Sequence, residues 1–512
     1  MRSRHLAATA AAILLSGVAL PAAAPPAAEL AEQYLERYLT TFPSRATAAG
    51  RHDLDDRLED LSAPARAAWI DYNRETLAAA RSALAASPAE PHRLDLELLA
   101  RQAGLELLRW ETLRLPERDP LFWTGIAATA DTLLLMRDDR PAAERLAAAA
   151  ARAEQLPRLA AQAREALSRG GPQRIAPQLT LLAAGQARAA AGFYAESLPG
   201  AAQDEAPALR LRLQAAGGAG AGALEGLADF LDDLASRASG SFRSGDAYPK
   251  LFALYTGLDE TPQQVLAQAL DDLAAKRSEA AAFGRSAWRE LMGPAPPPAD
   301  DAALLRSLFA HIEDQHAASV EELVQDYRHL AAASLRFVRE RDLVTVPDPF
   351  ALWIGTSPDS FVGQGVGGVY PPGPWSPEAT TLLFLPTPPG DAPPAARDRL
   401  FRAFNHPFNV MIVPHELVPG HALQLARAAR HPHRVRALFP DDVYVEGWGT
   451  FCERLMLDLG WGDSAARVAH LKKQLENIAR TVVDIRVHAG DAGEDEVLRF
   501  VQEEALQDEQ LA

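Results

Sequence analysis

His415-Glu416-Leu417-Val418-Pro419-Gly420-His421 places two imidazoles and a carboxylate within one short stretch. Catalytic zinc takes three protein ligands from His, Glu, Asp or Cys and keeps a fourth position for water. A Glu beside the first His is placed to remove that water's proton. In the standard HExxH arrangement the two His stand at i and i+4, about 40° apart around a helix. Here they stand at i and i+6, roughly 240° apart, so an unbroken helix cannot turn both to one metal. Pro419 has no amide hydrogen, and its ring crowds the carbonyl of His415. Gly420 permits backbone angles that other residues avoid. The pair predicts a kink or local widening of the helix that swings His421 back onto the face of His415, as bulges do at functional sites.

A second carboxylate follows in Val445-Glu446-Gly447-Trp448, in a segment that stays apolar from Phe451 to Leu459. Flanked by Val445 and Trp448, Glu446 is expected to be partly buried. A buried carboxylate needs a cation, hydrogen bonds or a metal. Zinc coordination satisfies it; an ion pair with a distant Arg is the alternative.

The chain carries a formal charge of −17, which argues against nucleic acid and anionic membrane as partners. Met1-Arg2-Ser3-Arg4, the apolar run from Ala7 to Leu20 and Ala22-Ala23-Ala24 have the pattern of a secretory signal over residues 1–24. The expected product is exported, periplasmic or secreted, with no stable membrane insertion after the signal is removed. Its loss, with Arg2 and Arg4, takes the charge from −17 to −19. Cys452 is the only cysteine, so no intrachain disulfide is possible and packing must supply the stability. It reads as a small core residue. His431 and His433, flanking Pro432 in a polar loop, read as solvated.

Apolar positions recur every three or four residues over Ala28–Tyr38, Ala63–Ala86, Leu94–Arg114 and Ala142–Arg169, which predicts amphipathic helices. Turn signals fall at Thr41-Phe42-Pro43, Gly170-Gly171-Pro172, Gly217-Gly218-Ala219-Gly220 and the Pro-rich Gly293–Pro298. The chain thus divides into an N-terminal helical region, 25–293, and a C-terminal catalytic region, 294–512. Short β-prone runs, Val344–Val346, Phe361-Val362 and Thr380–Leu385, predict a small sheet over about 343–389, just before the His-Glu helix. An exposed edge there would hold an extended peptide by backbone hydrogen bonds. The fold class is mainly α with a small β-sheet next to the active-site helix.

His415, Glu416, Pro419, Gly420, His421, Leu423 and Gln424, then Glu446, Gly447, Trp448 and Glu453, then Arg480, Val482, Val483, Asp484 and His488 are the motif residues that carry a resemblance. Phe42-Pro43, Ala46-Thr47, Gly50 and Asp60-Leu61-Ser62 precede them. In these motifs the chain resembles the bacterial family catalogued as domain of unknown function 885, whose members look like zinc metallopeptidases. The resemblance spans nearly the whole mature chain. It implies a large, multi-helix, zincin-like peptidase fold with Zn2+ held by His415, His421 and Glu446, and Glu416 as general base. It also implies that Arg480, Asp484 and His488 line the substrate groove. The chain departs from many relatives at Ala422, where they carry a second His, and at Phe451, where they carry Tyr.

The expected chemistry is hydrolysis of a peptide substrate by a metal-activated water, with Glu416 passing the proton to the departing nitrogen. His488 is the first candidate to stabilise the oxyanion and Tyr444 the second. Arg480 offers a bidentate site for a terminal carboxylate, which would make the enzyme an exopeptidase of carboxypeptidase type. The competing readings are a catalytically silent relative that binds peptides or envelope partners, and a zinc amidase acting on non-peptide amides.

Overall fold

Ala, Leu, Arg and Glu are strong helix formers, and most of the chain before Asp342 is helical. The computed structural model describes residues 27–86, 92–356, 368–388, 392–490 and 492–507. The signal segment and Phe361-Val362 lie outside these residues. The first expected helices form at Ala27–Thr41, Ala63–Ala85 and His92–Leu107. The segment read as one helix over Ala142–Arg169 is two, Ala142–Ala153 and Leu156–Gly170. Pro157 has no N–H for the carbonyl four residues back, so the chain breaks there and restarts with Pro in its first turn.

The glycines at 217–220 do not make a turn. They lie inside the long helix Pro207–Arg237. A Cβ on Gly217 would stand 2.2 Å from the Tyr194 carbonyl oxygen, and one on Gly220 would stand 2.8 Å from Leu156 Cδ1. Their smallness lets two neighbouring segments approach this helix closely, a packing use that the sequence pattern cannot separate from a break.

Three apolar cores hold the molecule. The first packs Tyr34, Trp69, Trp123, Tyr194 and Leu224 among the N-terminal helices. The second surrounds the helix His406–Glu416 with Tyr327, Ile354, Leu383 and Met456. The third joins the helices Pro262–Met292, Asp301–Glu313 and Ser464–His488 through Trp288, Leu308 and Leu471. Gly293–Pro298 is indeed a loop, but the helix before it packs on the C-terminal helix Ser464–His488. A boundary at 293 therefore cuts the third core. No described helix is long and apolar enough to cross a membrane.

Asp131 is buried in the first core, where its Oδ2 accepts from the Tyr194 hydroxyl at 3.0 Å and its Oδ1 has no partner. Burial lifts its pKa to about 7 from an ordinary 3.8, against the pull of Arg152. The folded chain then holds a proton that the unfolded chain releases at lower pH. This group's contribution is full below the ordinary value and is lost as pH rises through about 7. Asp131→Asn is expected to gain on the parent by up to about 1.4 kcal/mol per pH unit across that window. Denaturant unfolding of both proteins at pH 5 and 7 measures it; equal pH slopes would contradict it.

The sheet has three strands in the order β1 (Leu352–Thr356), β3 (Thr381–Leu385), β2 (Gly368–Tyr370). Leu352 pairs in parallel with Thr381, and Gly368 pairs antiparallel with Phe384. β3 is central and buried throughout, which suits its unbroken apolar run. Val344–Val346, expected as a strand, is irregular. The expected open edge is also partly closed. Arg328 donates to the Ile354 carbonyl on β1 and Arg137 to the Tyr370 carbonyl on β2, at 2.7 and 3.2 Å. Charged side chains on edge strands are a common guard against unwanted pairing.

Candidate metal centre

The helix His406–Glu416 starts at Asn405, whose side chain accepts from the Phe408 amide. Pro414 within it leaves the Val410 carbonyl without its helical donor, and the Trp461 indole supplies one at 2.7 Å. The helix ends at Glu416, a turn over Leu417–Gly420 with a cis Val418–Pro419 peptide follows, and a new helix begins at His421 and runs to Ala429. The motif is therefore two helices with a break, not one kinked or widened helix. The turn is pinned on both sides: Ser334 donates to the Val418 carbonyl, and the Trp448 indole donates to that of Pro419 at 2.9 Å. A Cβ at 420 would stand 1.8 Å from the His415 carbonyl oxygen, so only Gly fits.

The break does what an intact helix cannot. His415 Nε2 and His421 Nε2 stand 3.0 Å apart with their rings nearly perpendicular, at 85°. Glu446 reaches them from the helix Asp442–Asp458, its two oxygens 3.6 Å from His415 Nε2 and 3.7 Å from His421 Nε2. Asp441 caps that helix by accepting from the Tyr444 amide, a contact worth about 1 kcal/mol. Both imidazoles are buried, at 7% exposure each. Glu446 is not; its side chain is 69% exposed, because it stands in the first turns of its helix, where Val443, Tyr444 and Gly447 are exposed too, while the same face is buried further on at Gly449 and Glu453. Its carboxyl is held well below the usual carboxylate range by the hydrogen bonds of His415 and then His421.

The bacterial protein family of unknown function catalogued as DUF885 matches residues 43–512. The chain belongs to that family. Its fold is similar to that of a lipoprotein candidate of unknown function from Shewanella oneidensis, with a TM-score of 0.75 and 21% identity over 95% of this chain and 88% of that one. It is also similar to a lipoprotein candidate from Colwellia psychrerythraea, with a TM-score of 0.73 and 15% identity over 94% and 86% of the two chains. No protein of curated function matches the sequence.

Behind the trio, this DUF885 protein holds a buried polar chain that the sequence reading missed. Glu453, 1% exposed, accepts from His415 Nδ1 at 2.7 Å through one oxygen and from His470 Nδ1 at 2.9 Å through the other. Gln474 Nε2 donates to His470 Nε2 at 2.8 Å. Burial pushes the Glu453 carboxyl up, but the His415 and His470 hydrogen bonds outweigh it and keep the group below its ordinary value. An ionised carboxylate only accepts, so both Nδ1 atoms carry protons. His415 Nε2 is the ring nitrogen left facing His421 Nε2 and Glu446. Two spacings carried the signal: Glu446 and Glu453 lie seven residues apart on one helix face, and His470 and Gln474 lie four apart. Burial opposes protonation of His415, but Glu446 and Glu453 raise its pKa to about 9, so a metal that binds at Nε2 displaces a proton there.

Gly449 sits on the same face. A Cβ there would stand 2.6 to 2.8 Å from three atoms of the His415 ring. Gly449→Ala is expected to displace that ring and weaken metal binding by at least about tenfold, comparable to losing a hydrogen-bond partner that orients a metal-binding imidazole. Metal-competition titration with a colorimetric chelator measures this; unchanged affinity would refute the steric role.

The remaining candidates fall elsewhere. Tyr444 lies about 200° around the helix from Glu446 and is 64% exposed, so it does not face the trio and is not an oxyanion donor there. Phe451 lies about 140° away and is 52% exposed, so Tyr at this position would not reach the centre either. Ala422 is fully buried in the second core, where a His would point into apolar packing. His488 stands at the far end of the helix Ser464–His488, eighteen residues beyond His470 and about 27 Å along the axis. There it stacks on Tyr248 and accepts from the Ser244 amide at 3.3 Å, and no contact joins it to the trio. Asp484 accepts from the Tyr248 hydroxyl. Arg480 makes no ion pair or hydrogen bond among the described residues, and it lines a cleft of about 470 Å³ with Tyr248, Tyr255, Asp484 and His488.

Cys452 is buried, and burial pushes its thiol up to about 12, so it is a core residue and not a nucleophile. His433 is not merely solvated: it is hydrogen-bonded to buried Asp95, beside His92. Arg436 holds the other Asp95 oxygen at 2.6 Å, so both oxygens are engaged by protein donors.

Proposed function

We propose that this protein is an exported zinc-dependent metallopeptidase. The observation that carries the reading is the convergence of His415 Nε2, His421 Nε2 and the Glu446 carboxylate on one point. The donor set fits the ion. Ligands about 2.0 to 2.1 Å from a tetrahedral zinc stand about 3.3 Å from one another. The separations of 3.0, 3.6 and 3.7 Å bracket that spacing. Two imidazole nitrogens facing each other also need a cation or a shared proton between them. The carboxylate behind His415 is the partner that metal-bound imidazoles usually have.

When bound, zinc would supply a Lewis acid that activates water near neutral pH. Glu416, next to His415 and without a hydrogen-bond or ion-pair partner among the described residues, takes the proton of the attacking water. It then delivers that proton to the leaving nitrogen. Glu453 keeps His415 in the tautomer that presents Nε2. Arg480, unpaired in its cleft, provides the charge for a substrate's terminal carboxylate, which favours exopeptidase action of the carboxypeptidase type. The signal pattern over residues 1–24 and the likeness to lipoprotein candidates support export.

The test is metal analysis of the purified mature chain, followed by a peptide-library digest read by mass spectrometry. About one zinc per chain is expected for a tetrahedral three-ligand site, with cleavage that stops on chelation and returns with zinc. A chain that takes up no metal after zinc supplementation would sink the proposal. Cleavage of amides but of no peptide would move the activity to an amidase.

A further inference from the structure

The opening segment Phe42–Gly50 takes no part in the metal centre, yet it contributes Phe42, Ser44, Arg45 and Ala48 to the wall of a sizeable chamber. The chamber encloses about 540 Å³ within the N-terminal helical body, a size that suits a small organic ligand. Phe42, Trp110, Phe122, Ile126, Leu133 and Tyr370 supply apolar walls. Its charged lining falls into two groups. Glu106 and Arg109 are engaged: Glu106 accepts from Trp69, Trp110, Gln102 and Arg109, and Arg109 also donates to Tyr255. Arg45 and Glu59 are not fully engaged.

Glu59 is 1% exposed. One of its oxygens accepts from the Ser44 amide at 3.2 Å and from the Ser44 hydroxyl, while Oε2 has no partner. Arg45 donates to the Tyr38 hydroxyl and stacks over Tyr38 and Phe42. Its other guanidinium hydrogens have no protein acceptor among the described residues, and the exposed side chain lines both this chamber and a neighbouring cleft beside Tyr255. Arg45 and Glu59 do not pair with each other. Thr132, also buried and lining the chamber, has an unpartnered hydroxyl. Buried polar atoms without partners are rare in native proteins, and here two of them, Glu59 Oε2 and Thr132 Oγ1, belong to residues lining one space beside the exposed Arg45. An anion alone would leave the buried Glu59 carboxylate unmatched, and a cation alone would leave the nearby Arg45 guanidinium without a counter-charge.

We propose that this chamber binds a small zwitterion with an apolar side chain, of amino-acid or dipeptide size. Its ammonium meets Glu59, its carboxylate meets Arg45, and its side chain lies against Phe42, Trp110 and Phe122. The site is separate from the metal trio and does not rest on the peptidase reading.

The probe is the dipeptide Leu-Phe, titrated calorimetrically into the full chain carrying Glu416→Gln, so that turnover cannot contribute heat. One saturable site is expected. Gly125 lines the chamber and has open space around its Cβ position. Gly125→Leu fills that space at a helical position that tolerates Leu well, and binding should fall at least about tenfold. Glu59→Gln, N-acetyl-Leu-Phe and Leu-Phe-amide should each cost about tenfold, the weight of one hydrogen bond to a charged group. Absence of saturable binding, or equal binding with Gly125→Leu, would overturn the site. Loss on Gly125→Leu with no effect of acetylation or amidation would overturn the zwitterion. Metal content and cleavage are read separately, so failure of the peptidase proposal leaves this result intact.

Discussion

Glu416→Gln is expected to keep the metal and lose about 10²–10⁴-fold in kcat, the range that a positioned general base supplies. Glutamine keeps the size and one acceptor oxygen but cannot take a proton. Glu416 is the last residue of its helix and is only partly buried, so the change leaves no orphaned partner in the core. It is not one of the three converging ligands, and metal content should stay at that of the parent. The check is paired measurement of metal stoichiometry and peptide cleavage. A variant that retains most of the parent's kcat would remove Glu416 from the reaction.

The second large effect is expected at Glu453. Glu453→Ala leaves two buried Nδ1–H donors, on His415 and His470, with nothing to accept them. Each buried donor left unsatisfied costs about 1–3 kcal/mol, and the lost side chain adds a cavity. Metal affinity should fall about 10–100-fold, as it does when the outer partner of a ligand is removed. Glu453→Gln should fall between parent and alanine variant. Its single carbonyl oxygen can satisfy one imidazole, while its amide faces the other and forces the opposite tautomer there. Thermal melts with and without zinc separate the two effects, because bound metal stabilises only the folded chain. A Glu453→Ala protein with parental zinc affinity would exclude this positioning role.

Much of the centre was legible because it is local. His415, Glu416 and His421 lie within one motif, and the odd spacing pointed to a disrupted helix. The form of the disruption was not legible. A bulge and a full stop both bring His421 round, and the choice depends on Ser334 and Trp448, which come from other helices and hold the turn. Glu446 was found by residue type, but its burial was misjudged: Val445 and Trp448 predict a partly buried side chain, while Glu446 stands exposed in the first turns of its helix. Tyr444 and His488 were chosen for their chemistry and proximity in sequence. Angular position removes the first, and about 27 Å of helix from His470 separates the second. The glycines at 217–220 show the same limit, since a glycine serves a break and a close helix contact equally well.

What the sequence by itself determined is the mainly helical class, the approximate place of the small sheet, the family, and the three residues whose donors meet. These follow from periodicity and from motifs read along a few turns of chain. Only the tertiary structure decided that Glu453 and His470 stand behind His415, that Gly449 must be small to admit the imidazole ring, and that Arg480 is unpaired. It alone placed the Phe42–Gly50 segment around a chamber with unmatched charges. The physical reason is distance along the chain. Hydrogen bonds such as His415 to Glu453 and contacts such as Gly449 to His415 join residues on different helices. Their geometry depends on how the helices pack, and no local pattern encodes it.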